Sequence, residues 1–300
     1  MYDRLSEEKI AALAPSFARA LEDFTSRRIR DIAARYGDVV DSWDVVNESA
    51  SDFTNRYRRR DQRGDGARNG LPITKSHFGP MPGDYAWKAL DVASRCLPAS
   101  ARLCLNDYDA DSMPAQVAAL RAERARIDAI GVQMHLKSLK ESEAVSRGEF
   151  SPEAYSKTHP DAVRKTMAAL SATGLPIHLS EVTITASENS PKGEMTQAVI
   201  MRNLYRLWFS IGGLYGITWW NVVDGCGAAG EPSLSGLFTR DMKPKAAYFA
   251  MDDLVNREWK TETTVNAAGG KVAFRGFRGR YRLTWKDADG KEVSKLVDVR

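Results

Sequence analysis

The sequence predicts an α/β fold: part of a (β/α)8 TIM-type barrel, lacking about its first three strands, with a small C-terminal β appendage. Three observations predict it. Between residues 39 and 256, short apolar runs alternate with segments of helical period, the pattern of parallel strands joined by helical crossovers. Two runs, Asp41-Ser42-Trp43-Asp44-Val45-Val46-Asn47-Glu48 and Leu175-Pro176-Ile177-His178-Leu179-Ser180-Glu181, close on a glutamate. A buried strand ending in an ionisable group delivers it to the C-terminal rim, where barrel active sites are built. From about Thr261 the helical period stops.

The first element is a helix from about Ser16 to Tyr36. Its apolar residues Phe17, Leu21, Phe24, Ile29 and Ile32 recur at roughly helical spacing, and Gly37 supplies the stop. Val39 to Val46 reads as a strand, followed by a long polar, Gly-rich loop to about Met81, long enough to imply a functional or mobile role. Helices then fall at Tyr85–Cys96, Pro114–Ile127, Pro152–Ala172 (with Pro160 a potential break), Met195–Ile211 and Pro244–Asn256. Extended runs fall at Ala101–Leu105, Ala129–Met134, Leu175–Leu179 and Tyr215–Trp220. In the tail, Val272-Ala273-Phe274, Tyr281 to Trp285 and Val293 to Val299 read as short strands, with Asp289-Gly290 as a hairpin turn.

This makes five strand–helix units after one helix, where a closed barrel needs eight. The missing three would precede Met1. An open five-stranded sheet leaves parallel edges unpaired, so the chain is expected to be N-terminally incomplete and to fold poorly alone. A doubly wound open sheet is the alternative. The expected division is a partial-barrel catalytic domain over 1–258 and a β appendage over 259–300.

Composition narrows the function. The 300 residues are 43% apolar and 27% charged, with a net charge of +4, an ordinary globular balance that does not argue for nucleic-acid binding. The basic run Arg56-Tyr57-Arg58-Arg59-Arg60 reads as a solvated loop rather than a phosphate site. Three cysteines, Cys96, Cys104 and Cys226, give neither a disulfide framework nor a zinc pattern. No run has the length of a membrane span, and Met1-Tyr2-Asp3-Arg4 opens no signal-peptide core.

Chemistry concentrates at the strand ends. A carboxylic acid at a rim beside a second carboxylate has its pKa raised by repulsion and desolvation, as a proton donor to a leaving oxygen requires. Two such groups across one mouth are the machinery of glycoside hydrolysis. Taken singly, Glu48 reads as a strand-end turn and Glu181 as a salt-bridge partner. Taken jointly they do not, because the intervening strands also end in polar groups: Asn106-Asp107-Tyr108, Gln133-Met134-His135, and Trp219-Trp220 with Asp224. His135 is placed to orient a neighbouring carboxylate. Tryptophan or tyrosine at a rim stacks on sugar faces, with core packing as the alternative.

Trp43-Asp44-Val45-Val46-Asn47-Glu48 resembles the acid/base motif of glycoside hydrolase family 10, the endo-β-1,4-xylanases. Leu105-Asn106-Asp107-Tyr108, Gly131 to Leu136, Ser180-Glu181-Val182 and Gly216 to Trp220 with Asp224 are similar to the family's fifth-, sixth-, seventh- and eighth-strand motifs, in order, across residues 16–257. The resemblance implies that Glu48 is the general acid/base and Glu181 the nucleophile. It implies that Asn47 holds a sugar 2-hydroxyl, that His135 orients Glu181 with Gln133 nearby, and that Trp220 and Tyr108 wall the glycone and aglycone sides. It further implies a retaining mechanism with carboxylates about 5–5.5 Å apart and no metal or organic cofactor. The implied substrate is xylan, and the implied protein is a secreted or periplasmic monomer when complete. Three departures stand out: Thr183 where the family usually has an acid, no second rim tryptophan in Gly225 to Gly230, and the absent first strands. They motivate two alternatives, another β-linked glycan as substrate or a non-catalytic glycan-binding remnant.

Overall fold

Five parallel strands in sequential order form the main sheet of the computed structural model, which describes residues 6, 9, 15–50, 73–76, 79–82, 84–149 and 159–299. The chain opens with helix α1 (Pro15–Tyr36), then β1 (Ser42–Asn47), a hairpin of β2 (Ile73–Ser76) and β3 (Gly79–Pro82), and α2 (Tyr85–Cys96). It continues through β4 (Arg102–Asp107), α3 (Met113–Ala122), β5 (Ala129–Leu136), α4 (Leu139–Ser146) and α5 (Pro160–Ser171). The remainder comprises β6 (Ile177–Ile184), α6 (Pro191–Phe209), β7 (Leu214–Trp219), α7 (Ala246–Asp253), a π-turn at Leu254–Glu258, and the hairpin β8 (Gly279–Lys286) and β9 (Glu292–Val299). The sheet order is β1-β4-β5-β6-β7, so each helical crossover returns the chain beside the strand it left. This is part of a (β/α)8 barrel.

The two faces of the sheet differ chemically. Leu103, Leu105, Ile130, Val132, Ile177, Leu179 and Val182 turn outward into one continuous core. There they meet Leu90, Ala93, Val117, Leu120, Val163, Met167, Met201, Leu204 and Trp208 from the helices. The inner face is polar. His178 Nε2 lies 2.8 Å from Thr218 Oγ1, and Cys104 Sγ lies 3.5 Å from Ser42 Oγ. Among the described residues β1 and β7 are the sheet's edges.

Element ends follow local chemistry. Gly37 follows the last residue of α1, where a Cβ would stand 2.5 Å from the Ala33 carbonyl oxygen. Helix α6 starts four residues before its apolar period does: Ser190 Oγ accepts the Gly193 N–H at 3.2 Å, with Pro191 at the first helical position. Gln197 Nε2 then donates to the carbonyls of Ile184 and Gly236, tying α6 to the end of β6 and to the loop after β7.

Several expectations need correction. Val39 and Val40 turn back on Tyr36 through their N–H groups, so β1 begins at Ser42. Phe24 is 62% exposed rather than in the core, because five and nine residues of helix put it on the side opposite Ile29 and Ala33, which face inward. The long loop ends in the β2–β3 hairpin, masked in the sequence by Pro80 and Pro82. Helix α3 stops at Ala122, before the left-handed Arg124, rather than at Ile127. Helix α4 has no counterpart in the expected elements. Helix α5 starts at Pro160, while residues 152–158 of the expected helix lie outside the described residues, as does the basic run at 56–60. Val272 to Phe274 is not a strand, because Lys271 bridges back to Ala268 across Gly269 and Gly270. All three cysteines are free.

The tail meets α6 through aromatic rings. Trp259 stacks on Phe209 at 4.0 Å and 11°, and Phe277 meets Phe209 edge-on at 5.5 Å. Trp259→Ala is expected to remove a pair worth roughly 0.5–1.5 kcal/mol beyond its buried area. It should also speed proteolytic cleavage within residues 260–278, and an unchanged cleavage rate would show that the tail is held otherwise.

Candidate active site

Strand parity alone does not put the polar residues on one face; bulges do. In β1, Asp44 pairs with Cys104 and Val46 with Leu105, so Val45 is an extra residue. Val46 therefore turns out to the core and Asn47 turns in. In β6 the register shifts between Leu179 and Val182, while Gln133 of β5 pairs with Glu181. The consecutive residues Ser180 and Glu181 both reach the inner face, where each bonds Asn106. Bulges beside active sites re-aim side chains in this way.

At the C-terminal rim two amides join two carboxylates. Asn106 Nδ2 donates to Glu181 Oε1 at 3.0 Å and to Asn47 Oδ1 at 2.8 Å. Gln133 Nε2 donates to Glu48 Oε1 and to Asn47 Oδ1, both at 3.1 Å. Ser180 Oγ donates to Asn106 Oδ1. A carboxyl oxygen accepts from an amide N–H, so Asn106 turns its nitrogen to Glu181 and Gln133 turns its nitrogen to Glu48. That in turn fixes Asn47, whose Oδ1 takes two hydrogen bonds and whose Nδ2 is left as a donor. Gly131 makes room, because a Cβ there would stand 2.3 Å from Asn106 Oδ1.

Glu48 leaves β1 in the left-handed region at φ 55, a conformation uncommon for a residue with a side chain. The following turn holds it. Glu48 N–H donates to the Asn106 carbonyl at 2.8 Å, Ala50 N–H to Asp107 Oδ2 at 2.7 Å, and Gln116 Nε2 to Ser49 Oγ at 2.8 Å. Asp107 is fully buried. Burial pushes its carboxyl above the usual range, against the pull of the Asp109 and Ala50 N–H groups.

Glu181 has a second support. Its Oε2 lies 3.2 Å from His135 Nε2, and His135 Nδ1 lies 2.9 Å from Thr183 Oγ1. Trp220 meets the His135 ring edge-on at 6.3 Å and leaves 47% of its surface exposed. Tyr108 stands one residue beyond β4 at the same rim, 42% exposed.

The loop after β7 is anchored twice. Lys245, 1% exposed at its side chain, donates to Asp224 Oδ1 at 3.0 Å and to the Leu234 carbonyl at 3.2 Å. Glu231 accepts from Lys137 Nζ at 2.7 Å, Asn221 Nδ2 at 2.9 Å and the Ala228 N–H at 3.0 Å. Burial raises the Glu231 carboxyl, but these donors overcome it and hold the group below the usual glutamate range. Lys137 follows β5 directly, so the pair ties two rim loops together. Residues 225–230 between the anchors are exposed.

Of the residues singled out in the sequence, Asn47, Glu48, Gln133, His135 and Glu181 thus share one hydrogen-bonded cluster, Trp220 borders it, and Tyr108 lies on the same rim. Sequence reasoning gave no role to Asn106, Ser180 or Asp107. The available signal was a run of polar residues inside otherwise buried strands. Among the described residues no group of three or more side chains is arranged to hold a metal ion.

Gly131→Ala is expected to cost about 1–3 kcal/mol through overpacking. Asn106→Ala in the same chain should relieve much of that cost, and additive losses in a denaturation cycle would exclude the Asn106 clash. For Glu231→Gln the sign follows from the lowered pKa. The carboxylate's stabilisation is present above the ordinary glutamate range and lost as pH falls through the lowered value. The variant's Tm deficit should be full near pH 7 and shrink progressively as pH falls below the ordinary glutamate range, about 4.3; a deficit that persists undiminished in strong acid would contradict the assignment.

Comparison with known proteins identifies the family. The profile of Glycosyl hydrolase family 10 matches residues 14–254. The chain is 25% identical over 320 residues to endo-1,4-beta-xylanase C of Paenibacillus barcinonensis, covering 95% of this chain and 26% of that protein. It is 24% identical over 281 residues to the anti-sigma-I factor RsgI6 of Acetivibrio thermocellus, covering 90% of this chain and 30% of that one. It therefore spans less than a third of these relatives' lengths. The solved structure of a GH10 protein from Paenibacillus barcinonensis superposes with a TM-score of 0.57 at 26% identity, covering 80% of this chain and 68% of that chain. With the family profile matching most of its length, this chain belongs to glycosyl hydrolase family 10.

Proposed function

We propose that the site is that of a retaining endo-β-1,4-xylanase, with Glu48 as acid/base and Glu181 as nucleophile. The observation that carries this reading is the amide hub that binds both carboxylates at one rim. In the first step a Glu181 oxygen attacks the anomeric carbon. The glycosidic C–O bond breaks, and the departing oxygen takes the proton of Glu48. In the second step Glu48 removes a proton from water, whose oxygen attacks the same carbon and breaks the glycosyl ester, freeing Glu181. Two inversions give net retention.

The other residues serve binding and orientation. Asn47, its Oδ1 already occupied by two donors, offers Nδ2 to a sugar hydroxyl. Asn106 and His135 fix the Glu181 carboxylate through separate oxygens. The exposed rings of Trp220 and Tyr108 offer apolar faces to the sugars on either side of the scissile bond. The substrate is xylan, as the similarity to proteins named xylanases supports. Glycan binding without turnover is a second reading, favoured by the comparable similarity to a protein named an anti-sigma factor.

Reducing-end release from xylan by the whole protein tests the assignment. Glu181→Ala is expected to abolish it, and azide should restore turnover as a glycosyl azide of inverted configuration. Glu48→Ala should lower the rate on unactivated leaving groups by roughly 10²–10⁴-fold. Full activity in Glu181→Ala would remove the nucleophile assignment. Saturable xylo-oligosaccharide binding by the unaltered protein with no turnover would favour the second reading.

A further inference from the structure

Thr183 lies on β6 two residues after Glu181. It is fully buried, and its Oγ1 stands 2.9 Å from His135 Nδ1. The other ring nitrogen, Nε2, faces Glu181 Oε2 at 3.2 Å. The side chains of His135 and Glu181 are only 11% and 14% exposed, so water is a poor substitute for either contact.

For a neutral imidazole the protons follow from acceptor chemistry. An ionised Glu181 has no hydrogen to give, so the contact at Nε2 needs an N–H on the imidazole. A neutral imidazole carries one proton, which leaves Nδ1 with a lone pair. That lone pair faces a hydroxyl, which can donate. A carboxylate at this position would instead demand a proton on Nδ1 as well, making the ring an imidazolium. A valine of the same shape would take the Thr183 hydroxyl away from Nδ1, with the loss of that hydrogen bond.

From this we propose that Thr183 is a positioning residue that holds His135 as the neutral Nε2–H tautomer, so that Glu181 is supported by an uncharged donor. The hydrogen-bond relay runs Thr183 Oγ1–H to Nδ1, then Nε2–H to Glu181 Oε2. No proton is transferred along it; its task is to set the ring's orientation and polarity. The consequence for Glu181 rests on the catalytic reading given above, whereas the tautomer does not.

The experiment separates the two. Nitrogen-15 NMR of the imidazoles in the natural protein near pH 7, with His135 assigned through His135→Gln, reports tautomer directly. The expected signature is a protonated Nε2 and a bare, hydrogen-bonded Nδ1. Thr183→Ser should preserve it, and Thr183→Val should lose the hydrogen-bond shift at Nδ1. If the protein turns over xylan, Thr183→Val should lower kcat about tenfold with KM little changed, and Thr183→Ser should restore it. A proton on Nδ1 in the unaltered protein, or identical His135 spectra in the Val and Ser variants, would overturn the relay. A correct tautomer in a protein without turnover would uphold it while removing the glycosidase reading.

Discussion

The Asn106 carboxamide is the contact on which the rest of the site depends. One buried NH2 group serves Glu181 and Asn47, and its oxygen takes the Ser180 hydroxyl. Nearly every hydrogen-bonding position of that side chain is used, in a setting where an unmet one is costly. Through Asn47 the order passes to Gln133 and on to Glu48. The two carboxylates are therefore linked through one connected set of three amides, Asn106, Asn47 and Gln133, and hydrogen bonds of this kind hold side chains in a fixed geometry.

This arrangement is built from deviations. A regular β6 would send Ser180 and Glu181 to opposite faces, and a regular β1 would send Asn47 outward. Register shifts in both strands correct the parity, and the missing side chain of Gly131 lets Asn106 lie across the rim. The outward residues next to each shift, Val46, Leu179 and Val182, stay in the apolar core. The bulges thus deliver inward chemistry without cost to burial on the outside.

Around the hub the rim is stiffened by charge pairs rather than by aromatic packing. The Asp224–Lys245 pair sits almost fully inside the loop after β7, and Glu231 gathers Lys137, Asn221 and a backbone N–H. The exposed stretch between them has glycine and alanine where the resemblance leads one to expect a second tryptophan. The loop is thus fixed at its ends and small in the middle, which leaves Trp220 as the exposed ring bordering His135.

The alternation of apolar strands and helices was legible in the sequence, because burial on one face imposes a period that the order of apolar and polar residues displays. So was the joint placement of the glutamates, Gln133 and His135 at the ends of successive strands, although each alone reads as a turn, a salt-bridge partner or a satisfied polar group. The bulges left no trace in the pattern: a one-residue shift in register preserves the composition of a strand while reversing which side chains meet. Nor did helix α4, whose polar residues lack a strong apolar period, or the β2–β3 hairpin, with prolines where strands avoid them. Asn106 and Thr183 are polar residues in buried strands whether or not they have partners. Only the folded sheet, by setting neighbouring strands side by side in a fixed register, decided that one would bridge Glu181 and Asn47 and the other would face a histidine nitrogen.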